Sequence, residues 1–372
     1  MAQATAAIPA TMATALTILF IHPAYQAVGY DPGLMKVDYY FPPQPPLAAT
    51  EAARRAVRLG YDGFFSAETR HDPFLPLGFA AQEAPDLDLG TAIAVAFARS
   101  PMVVAQTAWD FAAMSHGSFI LGLGTQVKAH ITRRFSGSWD APAARLREYV
   151  LALRAIWNTF QTGERLSFQG DHYSFSLMTP FFDPGPISHP DIPVAIAGVG
   201  PHLSRLAGEV CDGFHVHPFH TVKYLDDVVL PNIAEGAARR ERSPSDVSLI
   251  STVFVVTGRD EAEMEMMAAA VKQQISFYAS TPSYRPVLDA HGWDFGERLN
   301  LLSRRGEWAA MADVITDEVL REVAVIAPPD RIGEAVRDRY EGRIDRIGFY
   351  ALAGTLELAD EEWAAAIVAA KA

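Results

Sequence analysis

Residues 87–101 (LDLGTAIAVAFARSP) and 117–126 (GSFILGLGTQ) decide the fold class of this chain. Each stretch contains an uncharged run of β-branched and apolar residues, which is typical of a buried strand. Each run ends in small residues followed by an alcohol or amide side chain, and a helical stretch at residues 102–116 joins the two. This strand–helix–strand unit, with polar and glycine positions at the strand ends, is the repeating unit of barrels whose chemistry lies at those ends.

The alternation of strand and helix continues along the chain. Strands are predicted at residues 36–41, 62–66, 87–95, 119–124, 193–197, 212–217, 249–256 and 346–352. Helices are predicted at residues 47–59, 102–116, 143–160, 201–209, 222–240, 261–278 and 358–370. Eight such units predict a (β/α)₈ TIM barrel with insertions at its C-terminal mouth.

Two insertions, at about residues 161–190 and 278–313, interrupt this alternation. The first contains the hairpin pattern LSFQGDHYSF, and the second is aromatic and partly helical. Segments of this length usually form lids or interface arms. We therefore expect one domain over residues 35–372, preceded by a loosely attached extension at residues 1–34 that contains no Lys or Arg.

Composition and charge restrict the possible partners. The net charge of −13 argues against a nucleic-acid partner, because binding to a phosphate backbone needs a basic surface. The apolar run at residues 15–21 is too short to span a bilayer, and the basic start of a secretory signal is missing. The single Cys211 fits a reducing compartment. We expect a cytoplasmic protein that binds neither nucleic acid nor membrane.

Four stretches of the chain occur in the order and spacing of one known family. They are LGYDGFFSAETRHDPF (59–74), LGTAIAVAFARSP (89–101), SHGSFILGLGTQ (115–126) and AGVGPHLSRLAGEVCDGFHVHP (197–218). The chain thus resembles the bacterial luciferase-like monooxygenase superfamily, and within it the branch that depends on coenzyme F420. The resemblance implies a flavin or deazaflavin in the C-terminal mouth of the barrel, hydride transfer or monooxygenation, and a homodimer.

Two glycine-containing segments are candidates for contact with the cofactor. The resemblance implies a non-prolyl cis peptide between Ala92 and Ile93, in a bulge behind the central ring of the cofactor. It also places the cofactor phosphate at the turn formed by Gly198, Val199 and Gly200, where helix amides face an anion. From the residues alone, a buried strand with a glycine bulge and an ordinary tight turn are the alternatives.

A basic segment follows the fourth strand. Residues 126–135 (QVKAHITRRF) carry Lys128, His130, Arg133 and Arg134, and no acid occurs between Gly122 and Trp139. This segment is either an ordinary basic loop or a binding site for an anionic tail. The second interpretation favours F420, which carries a phosphodiester and a polyglutamate, over FMN, which carries a single phosphate. His130 falls where F420-binding relatives often present a polar side chain. The remaining candidate cofactor contacts are Thr69, Thr125 and His217.

The loop after the second strand, AETRHDP (67–73), holds the candidate catalytic residues. Many relatives place a His directly after the acidic residue, whereas here Thr69 follows Glu68 and the histidine is His71. We expect Glu68 to orient or protonate the substrate, and His71 is the second candidate because its ordinary pKa lies near neutrality. A solvated turn is the alternative reading of these charges.

Three histidines, His215, His217 and His220, cluster at the end of the sixth strand. His215 and His217 share a strand face, which would allow both to project into the mouth. A metal site is not expected, because metal-dependent hydrolase barrels usually carry His-x-His at the end of the first strand, where this chain has Tyr-Tyr-Phe (39–41). A polar lining that contacts cofactor or substrate is the preferred interpretation.

The insertions are rich in aromatic residues, namely Phe181, Phe182, Trp293, Phe295 and Trp308. They form either an insertion core with dimer contacts or the roof of a hydrophobic substrate cavity. We therefore expect hydride transfer between F420 and a hydrophobic organic substrate such as a ketone or an enone. One alternative is an FMN-dependent monooxygenase that uses O₂ and reduced flavin, with the reduced flavin supplied by a separate reductase. The other is a non-catalytic flavin-binding barrel.

Overall fold

The structure, a computed structural model, describes residues 34–350 and 358–371. Eight parallel strands form a barrel, and each is hydrogen-bonded to the next. Two short strands, Ala94–Val95 and Val325–Ile326, extend the same sheet. Because β8 also pairs with β1, the sheet closes into the predicted barrel. The strands are β1 (Lys36–Phe41), β2 (Gly63–Ser66), β3 (Asp88–Thr91), β4 (Phe119–Gly124), β5 (Val194–Gly198), β6 (Gly213–Val216), β7 (Ser248–Val256) and β8 (Arg346–Tyr350).

Helices cover the outside of the barrel and fill the second insertion. In chain order they are α1 (Ala49–Leu59), α2 (Leu75–Glu83), α3 (Pro101–Met114), α4 (Lys128–Arg133), α5 (Pro142–Thr162), α6 (Pro201–Val210), α7 (Leu230–Ala238), α8 (Glu261–Ala279), α9 (Arg285–His291), α10 (Gly296–Arg305), α11 (Trp308–Ala312), α12 (Asp317–Val323), α13 (Ile332–Tyr340) and α14 (Asp360–Lys371). No helix within the described ranges is long and apolar enough to cross a membrane.

Several element boundaries differ from the sequence prediction. The predicted helix 222–240 is helical from Val222 to Ala238, and its segment Leu225–Val229 is π-helical. Helices α2, α12 and α13 were not predicted, and α4 lies inside the segment predicted only as basic. The predicted extension falls on residues 1–34, of which 1–33 lie outside the described residues, as do residues 351 and 352 of the last predicted strand.

The predicted hairpin in the first insertion is confirmed. Phe168–Gln169 and Ser174–Phe175 pair as antiparallel strands. The Glu148 carboxylate, on α5, accepts hydrogen bonds from the backbone N–H groups of residues 171–173, which form the tip of the hairpin. A carboxylate satisfies several amide donors at once, so this contact fixes the hairpin against α5.

A buried ionic network closes the N-terminal end of the barrel. Arg346, on β8, donates to both carboxylate oxygens of Asp38, on β1, at 2.9 and 2.6 Å, and to Asp88, on β3, at 2.6 Å. Above it, Phe65, Ile120, Ala195 and Ile250 pack together in the barrel interior with Tyr40 and Ala92. The filled lower half leaves the carboxyl ends of the strands as the open end of the barrel.

Candidate functional site

The third strand is interrupted at the mouth of the barrel. β3 ends at Thr91, the Ala92–Ile93 peptide bond is cis, and residues 94 and 95 pair again with β4. Thr91 bridges the interruption, because its hydroxyl donates to the Gly122 carbonyl at 2.7 Å and accepts from the Gly122 N–H at 2.9 Å. The cis bond lies at the step that the resemblance implies, and its role behind a cofactor ring stays a prediction.

Glu68, in the loop after β2, forms hydrogen bonds with the backbone at this interruption. Its backbone N–H donates to the Ile93 carbonyl at 3.0 Å, and its carboxylate accepts from the Val95 N–H at 2.7 Å. The same carboxylate oxygen pairs with Arg99 at 2.5 Å, and Arg99 also pairs with Asp72 at 2.8 Å. The Glu68 carboxylate is thus buried and already bonded to two donors, whereas its expected proton role is untested.

The loops after β2 and β4 meet in a cluster of positive charge. The Arg134 guanidinium donates to the Thr69 carbonyl at 2.5 Å and thereby joins the two loops. Lys128 and Arg133, on α4, are exposed, as is Arg70 on the other loop. Within the part of the chain that the structure describes, no carboxylate pairs with any of these four side chains, which we call the cationic rim (Arg70, Lys128, Arg133 and Arg134). His130 is exposed on α4 beside them.

The glycine turn after β5 has one of its amides occupied. Gly200 has a φ of +86°, a backbone conformation that glycine adopts readily, and it precedes Pro201 at the start of α6. Its N–H donates to the hydroxyl of the buried Tyr224 at 2.9 Å. A phosphate at this turn is therefore left with the other backbone groups of Gly198 and Val199, both of which are half-buried.

The three histidines occupy three different environments. His215 faces the barrel interior, edge-on to Phe65 with ring centroids 6.1 Å apart, and so lies below the mouth. The reason is that a Cβ at Gly122 would lie 2.6 Å from its Nε2, so it fills the space that this glycine leaves. His220 is buried, and its Nδ1 lies 2.9 Å from the His217 carbonyl. Only His217 reaches the mouth.

Burial keeps all three rings neutral. It lowers the pKa of His215 and of His217 to about 3, with the Arg346 charge and His220 as the respective second causes. It lowers the pKa of His220 to about 4. In the described ranges, no group of three or more His, Cys, Asp or Glu side chains is placed to hold a metal ion.

His217 contacts a group of tyrosines that the sequence did not point to. Tyr284 lies 4.4 Å from His217 between ring centroids and Tyr278 lies at 4.6 Å, while the Tyr278 and Tyr350 hydroxyls are 3.2 Å apart. We call Tyr278, Tyr284 and Tyr350 the tyrosine wall. Tyr278 ends a barrel helix and Tyr284 begins the insertion that follows it, so no periodic signal could have marked them as site residues.

The mouth is therefore asymmetric. On the β4–β5 side, alternation along the strands directs Gly124 and Ala197 inward, and the Ile93 side chain occupies the space beside Gly124, 2.7 Å from where a Cβ would lie. The tyrosine wall includes Tyr350, the last residue of β8, whereas the cationic rim lies in the segments that follow β2 and β4. The Thr125 hydroxyl donates to the Gln126 carbonyl at 3.0 Å, and His71 is half-buried. The roles expected of these two residues stay predictions.

Comparison with known proteins agrees with this geometry. Residues 24–346 match the family model described as luciferase-like monooxygenase. An uncharacterized protein of Mycobacterium tuberculosis is 47% identical over 314 residues, covering 84% of this chain and 92% of that protein. An F420-dependent glucose-6-phosphate dehydrogenase of Intrasporangium calvum is 31% identical over 222 residues, covering 55% of this chain and 64% of that protein.

A solved structure is similar in fold. The coenzyme F420-dependent tetrahydromethanopterin reductase of Methanopyrus kandleri has a TM-score of 0.72 to this chain, over 91% of this chain and 98% of that one. Its sequence identity is 18%, so the similarity is one of fold. The predicted TIM barrel and the resemblance drawn from the four sequence stretches are both confirmed.

Proposed function

The chain belongs to the luciferase-like monooxygenase family, and on that premise we propose that it transfers a hydride between coenzyme F420 and a hydrophobic organic substrate, such as a ketone or an enone. The observation that carries the choice of cofactor is the cationic rim. A protein with a net charge of −13 places four cations without a described carboxylate partner in the segments that follow β2 and β4. An acidic, multiply charged tail is the ligand that such a group of donors fits.

The residues of the mouth divide into those that would hold the cofactor and those that would shape the site. Lys128, His130 and Arg133 would bind the tail, with Gly198 and Val199 at the phosphate. Thr69, Ala92, Ile93, Thr125, Gly200 and His217 are the remaining proposed contacts, with Ala92 and Ile93 behind the ring. When bound, the deazaflavin supplies the redox chemistry, and the protein positions it and excludes water.

For Glu68 we propose a positioning role, because its carboxylate and its N–H both form hydrogen bonds with the backbone at the interruption of β3. The proton role of Glu68 or His71 remains a second proposal. Turnover that survives in the His71→Ala variant and in a Glu68→Gln variant would exclude it. Turnover lost in both, with the fold intact, would support it.

The second candidate function is an FMN-dependent monooxygenase, which the description of the matching family model favours. Titration of the purified protein with F420 and with FMN, followed by fluorescence, separates the two. Tight F420 binding and oxidation of reduced F420 by a ketone, enone or quinone support the proposal. Tight FMN binding without F420 binding, with O₂ consumed in the presence of a flavin reductase, overturns it. Cofactor binding without turnover of any substrate leaves the non-catalytic barrel.

We also propose a homodimer in the cytoplasm. Phe181 and Phe182, in the first insertion, are 89% and 64% exposed, which is unusual for side chains of this size outside an interface. The buried, unpaired thiol of Cys211 fits a reducing compartment. Light scattering of the wild type and of a Phe181→Ser, Phe182→Ser variant tests the dimer, and an unchanged mass would assign these residues another role.

A further inference from the structure

The ring of His217 is held in one orientation by a hydrogen bond at each nitrogen and by an aromatic contact. Its Nδ1 accepts a hydrogen bond from the Phe219 backbone N–H at 3.1 Å. The edge of its ring meets Tyr278 at 90°, and its own carbonyl lies 2.9 Å from the Nδ1 of His220. A histidine that only filled space would not need this set of polar contacts, so its orientation calls for a role.

These contacts fix the tautomer of the ring. A backbone N–H can only donate, so the Nδ1 of His217 carries a lone pair, and the proton of the neutral imidazole is on Nε2. Burial, reinforced by His220, lowers the pKa of His217 to about 3, so the ring is neutral at neutral pH. The Nε2–H group lies 3.1 Å from the Tyr284 hydroxyl oxygen and donates to it.

The hydroxyl proton of Tyr284 is left available. Its oxygen accepts from His217, and within residues 34–350 and 358–371 no group accepts the proton that it carries. Burial, with Tyr350 as the second cause, raises the pKa of Tyr284 to about 12, so it remains a phenol at neutral pH. Burial likewise raises the pKa of Tyr278, whose hydroxyl meets that of Tyr350. Among the described residues, the pair His217 and Tyr284 therefore offers a proton and has no vacant nitrogen acceptor.

We propose that the Tyr284 hydroxyl is the proton donor to the oxygen of the substrate, that His217 is its positioning residue, and that the site is built to reduce a carbonyl compound. This inference rests on the proposed function, which supplies the hydride from a reduced deazaflavin. As the carbonyl carbon gains the hydride, the electron pair of the C=O π bond moves to oxygen. The Tyr284 O–H bond breaks, its proton bonds that oxygen, and the phenolate takes a proton from water.

The same contacts disfavour the reverse reaction at this wall. Oxidation of an alcohol needs a group that accepts the hydroxyl proton. The Nδ1 lone pair of His217 is occupied by the Phe219 N–H, and its Nε2 already carries a proton. The apolar faces of the tyrosine rings also fit a hydrophobic carbonyl better than a charged substrate.

The first test needs no cofactor. Nitrogen-15 NMR of the histidine side chains, with the His217 signals assigned by their loss in His217→Gln, is expected to show a protonated Nε2 and an unprotonated Nδ1. Infrared spectroscopy of bound cyclohex-2-en-1-one, labelled with ¹³C at the carbonyl, is expected to show a lowered C=O frequency that Tyr284→Phe reverses. Tyr340→Phe is the matched control, because its buried hydroxyl has no described partner. A protonated Nδ1, an absent ketone band or the same frequency in wild type and Tyr284→Phe overturns the inference.

The second test is kinetic and uses reduced F420 with the same ketone. Tyr284→Phe is expected to lower kcat about 100-fold, with a change in KM below about threefold and unchanged F420 affinity. His217→Ala should lower kcat similarly and His217→Gln, whose amide N–H replaces the Nε2–H group, should recover part of it. Equal kcat in Tyr284→Phe and wild type overturns the inference. Absence of F420 binding to the wild type would instead overturn the proposed function, and the NMR and infrared results would still decide the role of Tyr284.

Discussion

The carboxylate of Glu68 and the guanidinium of Arg99 form a buried ion pair, 2.5 Å long, at the interruption of β3. Glu68→Gln should destabilise the protein by about 1–3 kcal/mol, because a charged acceptor is lost while Arg99 stays partly buried. Urea unfolding measures this change. The control is Glu51→Gln on α1, whose exposed pairs with Arg54 and Arg58 contribute less than about 1 kcal/mol. Equal stability of Glu68→Gln and wild type would contradict a positioning role.

The cationic rim should act through charge. A Lys128→Ala, Arg133→Ala variant is expected to lower F420 affinity about tenfold at low ionic strength, with a smaller effect on FMN. The difference between variant and wild type should shrink as salt is added, because exposed charges are screened. Fluorescence titration at two salt concentrations measures it, with Arg54→Ala on the outside of the barrel as the control. If F420 affinity depended neither on salt nor on Lys128 and Arg133, the cationic rim would not bind the cofactor.

The buried histidines should make stability depend on pH. His215, His217 and His220 have pKa values lowered to about 3, 3 and 4, whereas the unfolded chain binds these protons near pH 6.5. Their stabilisation is complete above about pH 6.5 and is lost as the pH falls towards 4, by roughly 1.4 kcal/mol per pH unit for each histidine. Urea unfolding at about pH 7 and about pH 5.5 measures the slope, and His220→Phe should reduce it by about one third. Identical stability at the two pH values would contradict the prediction.

Two glycines should respond to alanine in opposite directions. A Cβ at Gly122 would lie 1.8 Å from the Thr91 carbonyl oxygen, so Gly122→Ala should destabilise the barrel by about 3 kcal/mol. A Cβ at Gly78, inside α2, would meet nothing within 4 Å, so Gly78→Ala should stabilise by about 0.5–1 kcal/mol. Thermal unfolding of both variants decides the comparison. Similar shifts for the two would mean that the mouth of the barrel relaxes around a new methyl group.

Most of the barrel could be predicted from the sequence. The strand runs are apolar and bounded by Gly, Pro or Asp, and β1 and β4 have the predicted limits. Helix α2 was missed because LPLGFAAQE carries Pro and Gly and lacks a polar face. The end of β3 at Thr91 could not come from periodicity, because residues 92–95 continue the apolar run past it, and only the resemblance pointed to Ala92–Ile93.

The site was less predictable, because contacts there join distant parts of the chain. The Glu68 loop and the basic segment were found because unusual charge marked them. The bond between Gly200 and Tyr224 and the bond between His217 and Tyr284 were not found, since tyrosines in apolar surroundings resemble core residues. The sequence spacing does not distinguish His215 from His217. In the structure, His215 fills the space left by Gly122 and therefore lies below the mouth.

The ionic network at the base of the barrel also bears on how this protein is made. Arg346 and Asp38, which it joins, are 308 positions apart, and both are buried. During synthesis, seven strands are therefore made before Arg346, the partner of Asp38, exists. Until then the sheet has two open edges and Asp38 lacks this partner. The barrel cannot close until the last strand has been synthesised. We therefore expect the nascent chain to bind chaperones that cover exposed sheet edges.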